Sequence, residues 1–275
     1  MLVGNGSSEV LMNVLQLLPS PGEVVFPWPS CSLYPMVCSV LGMTARPVSL
    51  TESNGIDAEA LLAAVTSETR AVILCNPNNP SGTYLTLPEV RDFAAALPES
   101  VMLILDEAYV EFIDDPTFED SHLVALEREN VVAARTFSKA HGLAGLRVGY
   151  GIASGRIADY AERVRFPVSV NLAAQVAATA SMLARGKVKE RALFVIQERD
   201  RRQRAFGDAS LEFISSQGNF IMVRFGAGSF ERSGVLVREG DALGYPGWSR
   251  VTVGDTWEND RVIEALSDDP IEKGA

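Results

Sequence analysis

Short apolar runs alternate, through the first two-thirds of the chain, with stretches whose apolar residues recur every three or four positions. The runs at 23–26, 45–50, 71–75, 101–105, 131–134 and 146–152 predict strands. Helical spacing predicts helices at 33–41 and 58–65 and another from Thr86, with Pro88 in its first turn and Val90, Phe93, Ala94 and Leu97 on one face. Ahead of these, Val10, Leu11, Val14, Leu15 and Leu18 mark a first helix. The strands are apolar throughout rather than at alternate positions, so both sheet faces are covered. With helices between them, the pattern predicts an α/β fold: a mostly parallel sheet sandwiched by helices.

From Ile157 the texture changes. Long helices are expected at 158–164, 172–185 and 188–206, short strands at 211–214, 220–225, 235–237 and 250–253, and a last helix at 257–266. The organisation read from this is a large α/β domain over residues 1–165, linking helices over 166–206, and a smaller α+β domain over 207–275. The basic run Arg199-Asp200-Arg201-Arg202-Gln203-Arg204 interleaves acids with cations and reads as a solvated helix face rather than a phosphate patch.

Composition narrows the function. With 24 basic and 35 acidic residues the net charge is −11, which repels nucleic-acid phosphates and anionic membranes. The chain has 275 residues, 47% of them hydrophobic, enough for a sizeable core. Cys31, Cys38 and Cys75 are odd in number, lack zinc-ligand spacing and fit a reducing cytosol, so a cytoplasmic protein without a metal site is expected. No apolar stretch reaches the ~18 residues of a membrane span.

Ligands of parallel α/β sheets bind beyond the carboxyl ends of the strands. Asn79, Asp106 and Lys139 each fall just after an apolar run. Lys139 follows Thr136-Phe137-Ser138, and its small and apolar flanks would desolvate the amine and lower its pKa, making a usable nucleophile. Gly4-Asn5-Gly6-Ser7-Ser8-Glu9 precedes the first helix and is either an anion cradle or an ordinary Ser-capped start. A Schiff-base lysine, an acid for a pyridinium nitrogen and an anion cradle are the parts that pyridoxal phosphate needs.

The segments Val3–Glu9, Asn76–Thr83, Leu105–Phe112, Arg135–Arg147 and Ser249–Gly254 together resemble the fold-type I, class I/II aminotransferases, most closely the histidinol-phosphate aminotransferase group. The resemblance covers nearly the whole chain. It implies pyridoxal 5'-phosphate as cofactor, carried by Lys139, with Asp106 on the ring nitrogen and Asn79 and Tyr109 on the ring oxygen. Ser7, Ser8, Thr136, Ser138 and Arg147 would hold the cofactor phosphate. Arg250 would clamp a substrate carboxylate, and Arg238 would either meet a substrate phosphate or be a structural strand-end charge. Small-molecule partners, an amino donor and a 2-oxo acid, and a homodimer are implied too. Aromatic aminotransferases and a decarboxylase of the same scaffold share these motifs, and a non-catalytic remnant is a further alternative. Two departures stand out: Cys31 occupies the position of the family's ring-stacking aromatic, and the chain opens where family members are already inside the large domain, which leaves a truncated gene model, a fragment and a diverged, shortened member all open.

Overall fold

A computed structural model describes residues 1–268; positions 269–275, the end of the segment 207–275 assigned above, lie outside the described residues. The first sheet has seven strands: β1 (Leu2–Gly4), β2 (Glu23–Trp28), β3 (Thr44–Ser49), β4 (Thr69–Cys75), β5 (Met102–Asp106), β6 (Val131–Thr136) and β7 (Gly149–Ile152). Their spatial order is β1-β7-β6-β5-β4-β2-β3. Strands β6, β5, β4, β2 and β3 run parallel, and β7 is antiparallel to both its neighbours.

The uniform apolarity of the strands has the expected cause. Alternate residues feed two separate cores. Phe26, Ile73, Ile104 and Val132 meet α1 (Ser7–Leu15), α2 (Leu33–Leu41) and α6 (Gly155–Val164) on one face. Val25, Val72, Leu103 and Val131 meet α3 (Ala58–Ala63), α4 (Leu87–Ala96) and α5 (Leu123–Glu127) on the other. Helix α4 starts as its sequence dictates, with Thr86 and Glu89 closing a capping box and Pro88 in the first turn.

The helices α7 (Leu172–Leu183) and α8 (Arg185–Asp208) follow. The second sheet comprises β8 (Phe213–Ile214), β9 (Phe220–Val223), β10 (Arg238–Glu239) and β11 (Ser249–Thr252), all antiparallel in the order β10-β11-β9-β8. Helices α9 (Ala227–Arg232) and α10 (Thr256–Asp268) pack on it through Phe230, Val262 and Ala265. The strand expected at 235–237 forms three residues later, as β10. Elements β1, α5 and α9 were not foreseen; each is too short for its periodicity to register.

Two expectations are overturned. The run 199–204 is not a solvated helix face: Arg199 is 1% and Arg202 0% exposed. Interleaved charge obscured them because α8 is covered on that side by the turn at 110–112 and by the second sheet. Nor is α1 Ser-capped: Gly6, with φ of 84°, holds the N-cap position and no side chain caps the helix.

Behind the carboxyl edge of the first sheet lies a buried ion pair. Arg135 Nε donates to Glu107 Oε2 at 2.8 Å, the guanidinium also reaches Asp120, and Ser121 donates to the other oxygen of Glu107. Glu107 is fully buried. Removing the cation of such a pair costs about 3–5 kcal/mol because a buried charge is left without its partner. Arg135→Ala is therefore expected to lower unfolding stability by about that amount in urea titrations at pH 7, and Arg135→Ala with Glu107→Leu to recover much of it. A loss below about 1 kcal/mol would contradict this account of the pair.

Candidate active site

The parallel register sets the site. Cys75, Asp106 and Ala134 are aligned across β4, β5 and β6, so the residues that follow these strands emerge together. On the far side, Thr136 pairs with Gly149 and Gly149 with Gly4, which brings the turn after β1 to the same edge.

Asp106 ends β5 and is buried. Its Oδ2 accepts a 3.0 Å hydrogen bond from Tyr34 Oη, while its Oδ1 is buried with no partner. Burial raises the Asp106 pKa, against the pull of Tyr34, the Ala108 N–H and Lys139. Lys139 Nζ lies 5.0 Å from the centroid of the Tyr109 ring. Burial, and then the charge of Arg250, lower the Lys139 pKa, as its flanking residues suggested. Tyr109 meets Phe220 of the second sheet edge to face, with centroids 5.1 Å apart and planes at 90°. The Arg250 guanidinium stands 5.3 Å over the Phe220 ring, and its Nη1 donates to Asn79 Oδ1 at 2.7 Å. The two sheets thus meet at Asn79, Tyr109, Lys139 and Arg250.

Cys31 belongs to the same constellation. Its thiol is pushed up to about 11, first by burial and then by Asp106, with Lys139 and Arg250 acting in the opposite sense. It is a neutral group among charged ones.

A second group of residues forms a cradle. Ser7 and Ser8 are the first residues of α1, whose N-terminus has no side-chain cap. Arg147, itself in a left-handed conformation with φ of 57°, reaches over this turn. A Cβ on Gly6 would lie 2.6 Å from its Nη2, and a Cβ on Gly149 would lie 2.3 Å from the Ser7 nitrogen. Glycine is required at 149 because a Cβ would strike backbone, and at 6 because of its φ of 84°. Arg147 Nη1 donates to Ser138 Oγ at 3.3 Å, and Thr136 Oγ1 and Ser138 Oγ are 2.9 Å apart. Open amide groups at a helix N-terminus, hydroxyls and a guanidinium make an anion site.

Arg238 is exposed on β10, directly opposite Arg250 of β11. Opposed residues of an antiparallel pair point to the same sheet face, so the two arginines share one face. All the residues singled out from sequence therefore fall at one edge, in two groups with Arg238 at the rim. Sequence reasoning missed Tyr34 and Phe220. The first is a periodic apolar-face residue of α2, and its tie to Asp106 depends on how α2 docks. The second is one more apolar residue in a strand, and its place depends on how the second sheet meets the first.

The family pattern "Aminotransferase class I and II" matches residues 1–266. A histidinol-phosphate aminotransferase of Rubrobacter xylanophilus is 68% identical over 96% of this chain and 76% of its own length. An aromatic amino acid aminotransferase of Cutibacterium acnes is 40% identical over 96% of this chain and 76% of its own. Among solved structures, the histidinol-phosphate aminotransferase of Sinorhizobium meliloti in complex with pyridoxal-5'-phosphate superposes with a TM-score of 0.87 at 29% identity, covering 97% of this chain and 75% of that one. With the family pattern spanning residues 1–266 and a 68% identical relative covered over 76% of its length, the chain belongs to the class I and II aminotransferases, pyridoxal-phosphate-dependent transaminases.

Proposed function

We propose that the chain takes the amino group of histidinol phosphate and passes it to 2-oxoglutarate, with Lys139 as the catalytic amine. The observation that carries this reading is the meeting of Lys139, Asp106 and Arg250 at one desolvated edge, with a phosphate-type cradle beside it.

The residues fit pyridoxal phosphate. Asp106 Oδ1 is buried and unpartnered, as a carboxylate awaiting a ring N–H would be. The cradle of Ser7, Ser8, Thr136, Ser138 and Arg147 suits a phosphate. When bound, the cofactor supplies an electron sink for the charge left on the substrate α-carbon. Asp106 would hold the ring nitrogen protonated. Tyr109, whose phenol burial keeps protonated, would donate to the ring oxygen, with Asn79 beside it. Lys139 Nζ would take the proton from the substrate α-carbon and return it at C4′ of the cofactor. A lowered pKa leaves more of the amine neutral, and only the neutral amine accepts a proton.

Arg250 would grip the carboxylate of glutamate, bidentately and above an aromatic face. Histidinol phosphate has no carboxylate but carries a phosphate, and Arg238, on the same face, is the group to meet it. Aromatic amino acids are a second reading, favoured by the 40% identity to an aromatic aminotransferase. Arg238 divides the two.

A homodimer is part of the reading. An open groove of 820 Å³ runs along α7 and is lined by Phe137, Val148, Val170, Ala178, Met182 and Leu183. Leu172, Val176 and Leu183 of α7 are exposed, and a continuous apolar face of this kind marks an interface. No helix among the described residues is long and apolar enough to cross a membrane. A cytoplasmic location is proposed on composition, since the three cysteines are free.

Transamination of 2-oxoglutarate by a panel of donors tests the substrate. Histidinol phosphate is expected to be the best donor, and Lys139→Ala to have no turnover. Arg238→Ala should raise KM for histidinol phosphate about 10- to 100-fold, as loss of a ~1.5–3 kcal/mol charge-assisted bond requires, and leave phenylalanine within about twofold. Phenylalanine as the better donor, or equal losses for both, would favour the aromatic reading. Sedimentation velocity at micromolar concentration should give a dimer; Leu172→Glu with Val176→Glu should give a monomer. A monomeric parent would remove the dimer from the account.

A further inference from the structure

Helix α8 carries buried arginines with an unusual set of partners. Burying a guanidinium is costly unless its donors are used, and an apolar residue in the same place is often the more stable choice. Arg199 is nevertheless 1% exposed and Arg202 0%. They lie three residues apart, hence on one face of α8.

Their donors go to backbone carbonyls next to site residues. Arg199 Nη1 donates to Phe112 O at 2.8 Å and, more weakly, to Gly218 O at 3.4 Å, while its Nη2 pairs with Asp114 at 3.0 Å. Phe112 closes the tight turn that begins at Tyr109, to whose carbonyl its own N–H is bonded at 3.0 Å. Gly218 lies two residues before Phe220. One guanidinium therefore fastens the segment holding Tyr109 to the segment holding Phe220, and these rings form the edge-to-face pair behind Lys139 and Arg250. Arg202 Nη1 donates to Thr252 O at 3.1 Å and Nη2 to Val251 O at 3.2 Å. Those are the two residues that follow Arg250 on β11. Among the described residues no carboxylate forms an ion pair with Arg202 and its Nε is buried without a partner, so the two hydrogen bonds it makes both go to that strand. Arg191, further up α8, makes the same kind of bond, to Ala140 O at 3.1 Å, beside Lys139.

We propose that Arg199 and Arg202 are positioning residues of the transamination site: Arg202 fixes the strand that presents Arg250, and Arg199 fixes the Tyr109–Phe220 step against Lys139. Neither touches substrate. A planar fork holds two carbonyls at once, which a lysine ammonium on a flexible stem does not do with the same geometry. The inference rests on the reading of Arg250 as the carboxylate clamp.

Kinetics of the cofactor-loaded Arg202→Lys, Arg199→Lys and Arg250→Lys enzymes test it, with glutamate and the carboxylate-free donor histidinol phosphate. Arg202→Lys should raise KM for glutamate about tenfold, with kcat within about threefold and histidinol phosphate nearly unaffected. Arg199→Lys should lower kcat about tenfold for both donors, with KM within about threefold, because the step against Lys139 serves both. Arg250→Lys separates the two readings. If it leaves the glutamate KM unchanged, the clamp assignment fails and the positioning role fails with it. If it raises that KM while Arg202→Lys does not, the positioning role alone fails. Losses in Arg202→Lys that are equal for both donors and follow a lowered Tm would mean a purely structural arginine, and overturn the proposal. So would failure of both lysine variants to fold; if one folds, its kinetics decide.

Discussion

Charge held out of water at the carboxyl edge of the parallel sheet is the constraint on which the site depends. Asp106 has one oxygen bonded to Tyr34 and the other buried without a hydrogen-bond partner. Lys139 and Arg250 face it with like charges that oppose each other. Each group alone would be costly to bury. Together they leave a lysine biased toward its neutral form, an acid biased toward a cationic partner, and a guanidinium oriented by Asn79 and an aromatic face. Those are the states that transamination calls for, and they follow from where the strands end.

The constraint is met by two sheets rather than one. The first contributes Asn79, Asp106, Tyr109 and Lys139; the second contributes Phe220 and Arg250. The Tyr109–Phe220 contact and the Arg250–Asn79 hydrogen bond join them. Helix α8 lies behind both, with Ala192 packed among Tyr109, Phe112, Ala140 and Phe220. Its arginines supply the polar counterpart of that packing. The phosphate-type cradle is built separately, from turns that need glycine at 149, where a Cβ would strike backbone, and at 6, where φ is 84°.

Much of this was legible in the sequence, for a physical reason. Strands buried on both faces are continuous apolar runs, and the residues at their ends are the few polar positions that the sheet presents to a ligand. Asn79, Asp106 and Lys139 could be picked out in that way, and the resemblance to class I/II aminotransferases added Arg250, Arg147 and Tyr109. What the sequence did not disclose depends on docking. The Tyr34 hydroxyl finds Asp106 only when α2 packs on the sheet. Phe220 is one apolar strand residue among several. Arg199 and Arg202 sit in a run that reads as solvated because its acids and bases alternate, and only the docking of the 110–112 turn and the second sheet on α8 buries them. Short elements such as β1 and α9 carry too few residues to show a period.

The central claim is that burial and Arg250 together lower the Lys139 pKa. Its most direct test is the Lys139 titration in the cofactor-free protein, followed by heteronuclear NMR of the lysine side chains and assigned with Lys139→Ala. The pKa should lie below the 10.5 of an ordinary lysine and rise in Arg250→Gln, where one of the two depressing influences is gone. A Lys139 that titrates at 10.5 or above, and does so equally with and without Arg250, would contradict the account.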